Sequence, residues 1–371
     1  MGLLARVPGL RQVPQVLGPV LDDVILFESW RGQYSDNPRA ISEELHGRGT
    51  HHRHVWVIDP ALAPGVPDWV ETVTPGSRGH LAMMGRAGHL VTNTTVLGFH
   101  HKRPGTRLMQ TWHGTPLKRI GFGIPRDGSR AARQAVDTLR HNVKRWDLLL
   151  SPNRFSTPIF REAFEYEGPI EETGYPRNDL LVGPHGDAVR ERTRSALGIA
   201  PGQRVVLYAP TFRDSVQFAL EPQVDRLAQE LGESHVVLLR THKVDAGVAR
   251  TGRFVDVSAY PDNRELYLAA DVLVTDYSSV MFDFAVTGKP MVFFTYDLAD
   301  YRDRARGFYF DLEAEAPGPL VATAEELAEA VAGADADAPR LREAYQCFAE
   351  RFCHLEDGRA SARVVNLLLA G

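Results

Sequence analysis

Gln110-Thr111-Trp112-His113-Gly114-Thr115-Pro116-Leu117-Lys118 closes the apolar run that begins at Arg107, and it reads as strand, sharp turn and helix start. Thr115 suits an N-cap, Pro116 the first helical position and Gly114 a tight turn before them, and Gly114, Thr115, Pro116 and Leu117 are candidate substrate-binding residues. This grammar puts His113 at the carboxyl end of a strand, beside backbone N–H groups that the first turn of a helix leaves free. Open α/β sheets bind ligands at that place. Helix N-termini favour anions by about 0.3–1 kcal/mol. A neutral imidazole beside an anion site is a candidate general base; the plainer alternative is a turn histidine that serves only its neighbours.

The grammar occurs twice. Asp271-Val272-Leu273-Val274-Thr275 reads as a buried parallel strand, and Asp276-Tyr277-Ser278-Ser279 leads from it into a helix expected over 280–286, which Gly288-Lys289-Pro290 ends. Ser278 and Ser279 offer two hydroxyls at this turn, suited to phosphate oxygens or to ordinary capping. Asp283 lies one helical turn beyond Ser279, placed either for a ligand hydroxyl or as a helix-surface carboxylate. Two such turns, one in each half of the chain, predict a diphosphate-bearing ligand held across a cleft.

Outward from these stretches, strand and helix patterns alternate. Residues 24–28, 54–59, 70–73, 89–94, 107–112 and 146–151 read as strands; helices are expected from near Pro38, over 77–84 with Gly85 as the stop, and over 155–164. After Gly183-Pro184-His185-Gly186 the pattern restarts, with strands over 204–210, 235–240, 254–257, 271–275 and 291–294 and helices over 223–231 and 264–269. The expectation is α/β, with two Rossmann-like doubly wound domains facing a cleft. The first spans 1–185 and carries the candidate base, the second spans 186–350, and a C-terminal helix over 351–371 packs back across the boundary. Residues 330–338 read as an Ala/Asp-rich loop.

Composition narrows the function. A chain of 371 residues, 43% hydrophobic and 24% charged, fits two globular domains. A net charge of -5 argues against a general nucleic-acid binder. Cys347 and Cys353 form neither a disulfide framework nor a zinc motif and suit a reducing compartment. No apolar run reaches the roughly 18–20 residues of a membrane span. Residues 3–21 are apolar but broken by Pro8, Pro14 and Pro19, and no small-residue cleavage site follows, so the stretch reads as a docking segment, onto the protein itself or shallowly onto a membrane face. The histidine-rich Thr50-His51-His52-Arg53-His54 and His100-His101-Lys102-Arg103 lack an acidic partner at ligand spacing, so no metal site is assigned.

Seven motifs in order carry a family resemblance. They are Glu28-Ser29-Trp30 with Ser35-Asp36-Asn37-Pro38, Trp112 to Lys118, Gly174-Tyr175-Pro176-Arg177-Asn178-Asp179, Ala209-Pro210-Thr211-Phe212-Arg213-Asp214, Arg240-Thr241-His242, Thr275-Asp276-Tyr277-Ser278-Ser279 with Asp283, and Arg306-Gly307-Phe308-Tyr309-Phe310-Asp311. Over residues 28–366 the sequence resembles the CDP-glycerol glycerophosphotransferases of teichoic-acid and capsule synthesis. Where that family follows Arg-x-His with proline, Lys243 stands here.

The resemblance implies a GT-B fold, with the donor held by the second domain and a lipid-linked polyol-phosphate or saccharide acceptor approaching from the first. It implies peripheral attachment to the inner membrane face, attack of an acceptor hydroxyl on the β-phosphorus of CDP-glycerol, and departure of CMP without a cofactor. On that reading His113 is the base. Arg240 and His242 stabilise the diphosphate and leaving CMP, with His242 catalytic. Arg213 and Thr211 reach phosphate from the loop after a strand, Ser278 and Ser279 hold it at a helix start, and Arg177 reaches in from the domain junction. Glu28 and Asp36 fall on the acceptor side, as substrate contacts or as structural caps. The rivals are a GT-B glycosyltransferase using a nucleotide-sugar, a transferase of another alditol such as ribitol from CDP-ribitol, and a nucleotide-binding scaffold without activity.

Overall fold

The computed structural model describes residues 18–96, 102–211, 220–241, 249–251 and 253–370. They form two compact units. Unit 1 comprises the described residues up to His113, Gly121–Arg177 and those from Arg359 onward; unit 2 comprises Gly114–Ile120 and Asn178–Gly358. The division therefore falls at Arg177/Asn178, not at 185, and the nine-residue stretch that anchors the sequence reading is itself divided, after His113.

In unit 1, β1 (Leu21–Glu28), β2 (Arg53–Val57), β3 (Glu71–Val73), β4 (Ala87–Thr92), β5 (Arg107–Gln110), β6 (Leu148–Ser151) and β7 (Ile170–Glu172) form a parallel sheet in the order β3-β2-β1-β4-β5-β6-β7. The unbroken apolar run Val24-Ile25-Leu26-Phe27 is what a strand covered on both faces requires. Helices α1 (Asp36–Gly47), α2 (Arg78–Arg86), α3 (Arg130–Val143) and α4 (Ser156–Phe164) supply crossovers. Gly85 does not stop α2, which runs one residue further and passes directly into β4. Gly85 is buried and lacks the positive φ that a glycine stop uses. The strand order reverses between β1 and β4, so the switch point of this sheet lies at Glu28 and Thr92.

Unit 2 repeats the plan with β8 (Arg204–Tyr208), β9 (His235–Leu239), β10 (Ala249–Thr251), β11 (Phe254–Asp256), β12 (Val272–Thr275), β13 (Met291–Phe294) and β14 (Leu320–Val321). The order is β10-β11-β9-β8-β12-β13-β14, parallel except at β10. Its helices are α5 (Asp179–Val182), α6 (Gly186–Ala196), α7 (Leu220–Leu231), α8 (Asn263–Ala269), α9 (Val280–Ala285), α10 (Leu298–Asp300), α11 (Leu312–Glu315), α12 (Ala324–Ala332) and α13 (Ala334–Phe352). The switch point lies between β8 and β12. The expected loop over 330–338 is instead the end of α12 and the start of α13, joined at Gly333. Alanine is the strongest helix former, and Asp335 and Asp337 sit in the first turn of α13, where acidic groups complement the helix dipole.

The last helix, α14 (Ala360–Leu369), belongs to unit 1. Its Val364, Val365 and Leu368 join Ile25, Phe27, Ile41, Leu45 and Trp56 in one core. Arg48, the residue that follows α1, fastens it with bonds to Asn366 Oδ1 at 2.6 Å and Ala362 O at 3.1 Å. Burying each aliphatic side chain contributes about 1.5–3 kcal/mol. Val364→Asp places an unpaired charge in that core and is expected to lower unfolding free energy by about 3–5 kcal/mol. Leu369→Asp, at a position 43% exposed, changes it little. Urea unfolding of the two variants checks this, and equal curves would overturn it.

Two interior histidines make unit 1 acid-sensitive. Burial holds His54 and His80 down at about 4; around His54 the charges of His46 and His52 add to it. His80 Nδ1 accepts the Gly76 N–H at 3.0 Å, a bond that protonation removes. Both groups titrate lower folded than unfolded, so the unfolded chain takes up protons first. Stability is complete above about pH 6.5 and falls as pH drops toward 4. A melting temperature that decreases from pH 7 to pH 5, with the decrease reduced in His80→Gln, is the expected result.

Candidate functional site

In unit 1 the site is built on loops at the carboxyl ends of β1, β4 and β5. After β1 the chain passes through Ser29, Trp30 and Ser35 to α1, whose first residue, Asp36, has φ +62°. Ser29 Oγ lies 3.1 Å from Ser35 Oγ and accepts the Asn93 amide at 3.0 Å, so the β1 loop is tied to the turn after β4. Asp36 accepts Asn37 N at 2.6 Å, Arg177 Nη1 at 2.7 Å and Trp30 Nε1 at 2.8 Å. Burial opposes its ionisation, but the Arg177 charge and these hydrogen bonds hold the carboxyl below the ordinary range. Asn37 receives Arg177 N at 3.2 Å and donates to Trp112 O at 3.3 Å, which joins the third loop to the frame.

Trp112 is the sharp turn of this site. Its φ of +53° is rare for a residue with a bulky side chain and costs about 1–3 kcal/mol. The turn sets the His113 ring 4.2 Å from Trp112, stacked, and 4.5 Å from Trp30. His113 Nδ1 lies 2.8 Å from Asn93 O. A carbonyl oxygen only accepts, so Nδ1 carries the proton and Nε2 presents its lone pair. Burial lowers the imidazole's affinity for a second proton; the Asn93 bond and Asp36 counteract this, and Arg177 adds to it. The imidazole is neutral and oriented, with the Nε2 lone pair available.

In unit 2, no helix begins at Thr115. Residues 114–120 run without a helix, Lys118 forms an antiparallel bridge with Phe308, Leu117 O accepts Tyr309 N at 2.8 Å, and Arg119 N donates to Gly307 O at 3.1 Å. Thr115, Pro116 and Leu117 are buried as part of this pairing, and Thr115 and Pro116 are neither cap nor first helical residue. Thr-Pro suits the entry to an extended segment as well as to a helix, and here it leads into the bridge. It joins two motifs: the Gly307-Phe308-Tyr309 stretch is the pairing partner of Leu117-Lys118-Arg119. Gly114 is required for close approach instead of for positive φ. A Cβ there would lie 2.9 Å from Ser279 Oγ and 3.1 Å from Ser279 Cβ.

The remaining unit 2 residues gather at its switch point. Thr211 follows β8, donates its N–H to Asp276 Oδ1 at 2.8 Å, and receives Lys118 Nζ at 3.5 Å on its hydroxyl. Ser279 precedes α9, but its side chain makes no capping bond. Ser278 is likewise half-buried and without a side-chain bond among the described residues. Asp283 is buried, not on the helix surface, and accepts Asn178 Nδ2 at 3.1 Å. Arg240 follows β9 and donates to Val257 O at 2.7 Å and Tyr260 O at 2.6 Å, which shapes the loop after β11. Arg177 is in unit 1, paired with Asp36. Arg213 and His242 lie outside the described residues.

The sequence reading missed Asn93 and the structural use of Asn37. A polar Thr-Asn-Thr at the end of the apolar β4 run is the available signal, since polar residues at parallel strand ends face the ligand side. Groups of three or more metal-ligating side chains are absent among the described residues, as is any helix long and apolar enough to cross a membrane.

With this geometry in place, comparison with known proteins shows where the chain belongs. The family model of CDP-glycerol:poly(glycerophosphate) glycerophosphotransferase matches residues 12–370. The chain is 39% identical over 364 residues to a teichoic acid poly(glycerol phosphate) polymerase of Bacillus subtilis (strain 168), covering 94% of this chain and 49% of that protein. It is 40% identical over 365 residues to a teichoic acid glycerol-phosphate transferase of Staphylococcus aureus (strain NCTC 8325 / PS 47), covering 92% of both. It thus spans about half the length of the first relative and nearly all of the second. The solved structure of the wall teichoic acid polymerase TagF matches with a TM-score of 0.86 at 35% identity, over 95% of this chain and 89% of that one. The two Rossmann-like α/β domains are those of a GT-B fold.

Proposed function

The chain belongs to the CDP-glycerol:poly(glycerophosphate) glycerophosphotransferase family, and on that premise we propose that it moves glycerol phosphate from CDP-glycerol to an acceptor hydroxyl in teichoic-acid or capsule polymer synthesis. The acceptor is a lipid-linked polyol phosphate or saccharide, and the protein works in the cytoplasm, peripherally on the inner face of the membrane. The observation that carries the chemistry is His113 Nδ1 bound to Asn93 O, which leaves Nε2 as the acceptor of a hydroxyl proton. The acceptor oxygen forms a bond to the β-phosphorus, its proton passes to Nε2, and the bond from that phosphorus to the CMP oxygen breaks. Phosphoryl transfer asks chiefly for positioning and charge stabilisation.

On the donor side the reading is supported by the Ser278 and Ser279 hydroxyls after β12, the Arg240 guanidinium after β9, and Lys118, which donates to Thr211 after β8. Gly114, Thr115, Pro116 and Leu117 shape that region, and Asp283 holds α9 in place through Asn178. Arg213 and His242 are proposed as further phosphate ligands, His242 in a catalytic role. Arg177 is proposed to act through Asp36 by fixing the acceptor-side loop.

The deciding experiment measures nucleotide release, CMP from CDP-glycerol and, in parallel, CMP from CDP-ribitol and UDP from UDP-glucose, in the presence and absence of a soluble acceptor mimic. Acceptor-dependent release from CDP-glycerol is expected. Turnover of UDP-glucose alone would replace this reading with a glycosyltransferase. A second test addresses the close approach at Gly114. Gly114→Ala displaces Ser279 and is expected to weaken CDP-glycerol binding about 10–100-fold by calorimetry. Gly47→Ala, whose Cβ meets nothing within 4 Å, should leave binding unchanged. Equal affinities in the two variants would remove Ser279 from the donor site.

A further inference from the structure

Glu28, Thr92 and Gln110 form one polar rung across β1, β4 and β5, paired as Glu28↔Thr92 and Thr92↔Gln110. The rung is the last at the carboxyl edge of these strands, on the switch point between β1 and β4. Strand alternation sets Glu28 on the face opposite Ile25 and Phe27, away from the core that α1 and α14 cover. Two of the three members are satisfied locally. Thr92 Oγ1 exchanges bonds with Thr94 N at 3.1 Å and Thr94 O at 3.3 Å, while Gln110 donates to Thr94 O at 3.0 Å and accepts Trp112 N at 2.9 Å.

Glu28 has neither a hydrogen-bond nor an ion-pair partner for its carboxyl among the described residues. In the loops that follow these strands, Ser29 is engaged with Asn93, and Asp36 and Asn37 with Arg177. A partly buried carboxylate without a partner lowers stability and rarely persists in a core without a use. Burial pushes this carboxyl up to about 7. Hydroxyl donors from a ligand would satisfy it.

We infer that the Glu28 carboxylate is a specificity-determining group for the acceptor, taking hydrogen bonds from polyol or sugar hydroxyls next to the one that reacts. The inference rests on the proposed transfer and names which end of the reaction unit 1 recognises. A carboxylate accepts two or more hydroxyl donors and repels an acceptor end that presents a phosphate in their place.

The test uses the full chain, with Glu28→Gln and Glu28→Ala beside wild type. Soluble acceptor mimics end either in a glyceryl unit with both hydroxyls or in its deoxy analogue lacking the neighbouring hydroxyl. Charge-assisted hydrogen bonds of this kind predict an acceptor kcat/KM about 10–100-fold lower in Glu28→Ala, mainly through KM. Glu28→Gln, which retains one acceptor oxygen and the same volume, falls between and guards against loss of folding. Wild type discriminates between the two mimics and Glu28→Ala does not. CDP-glycerol affinity, measured separately by calorimetry, stays within about twofold in both variants.

Acceptor binding without donor is measured as well. A wild type that binds the mimic more tightly than Glu28→Ala but releases no CMP supports the Glu28 role and sinks the transfer reading. Unchanged acceptor KM in Glu28→Ala, or discrimination equal to wild type, overturns the Glu28 role and leaves the transfer reading standing.

Discussion

Replacing His113 with alanine is expected to lower acceptor-dependent CMP release from CDP-glycerol by about 10²–10⁴-fold, the usual worth of a positioned general base. CDP-glycerol affinity should change by less than about twofold, because the ring belongs to unit 1 and the proposed donor groups to unit 2. The asymmetry follows from the geometry. The Asn93 carbonyl fixes the proton on Nδ1, and Trp112 and Trp30 hold the ring plane, so catalysis loses an aligned lone pair. Burial depresses the imidazole's affinity for a second proton. The neutral form therefore persists below the ordinary histidine range, and kcat/KM should fall only as pH drops through a value under about 6.5. His113→Ala should abolish that acid limb. A variant within about tenfold of wild type, or one that loses donor binding and turnover equally, would remove His113 from the base role.

The two doubly wound sheets were legible because apolar strands alternate with helical spans in both halves, and the pattern signals buried parallel strands without needing tertiary information. The position of His113 after a strand was legible for the same reason. What the residues did not disclose was the conformation after it. Thr115-Pro116 has the chemistry of a helix entry, yet the pairing of Leu117, Lys118 and Arg119 with Gly307, Phe308 and Tyr309 decides the backbone, and that pairing joins residues nearly two hundred positions apart. The tight turn expected at Gly114 is made instead by Trp112, whose positive φ is supported by a long-range bond from Asn37 to Trp112 O. Arg177, expected to reach the substrate from the domain junction, is paired with Asp36. A lone arginine after a turn does not reveal its partner. In the Ala/Asp stretch that joins α12 to α13, the loop preference of aspartate is reversed by its place in the first helical turn.

The largest stability effect is expected at Asp36. Its side chain is 12% exposed and that of Arg177 is 8% exposed, so the pair is almost wholly removed from water. Asp36→Ala leaves the guanidinium buried without its counter-charge, a situation that costs about 3–5 kcal/mol. It also puts alanine at φ +62°, adding about 1–2 kcal/mol that aspartate and asparagine largely avoid. Asp36→Asn keeps a compatible backbone and an acceptor oxygen for Asn37 N or Trp30 Nε1, and should lose less. Arg177→Met in the Asp36→Ala background removes the orphaned charge and should recover part of the loss, so the double variant is less destabilised than the sum of the singles. Activity should not recover with it. Trp30 loses its anchor on Asp36 Oδ2 in both backgrounds, and Trp30 is one wall of the His113 ring. Urea unfolding and CMP release measured on all four proteins therefore separate the two roles of the carboxylate, in charge pairing and in positioning. Additive losses in stability would show that Asp36 and Arg177 are not coupled. Recovery of turnover together with stability would show that Asp36 acts on the reaction only by keeping unit 1 folded.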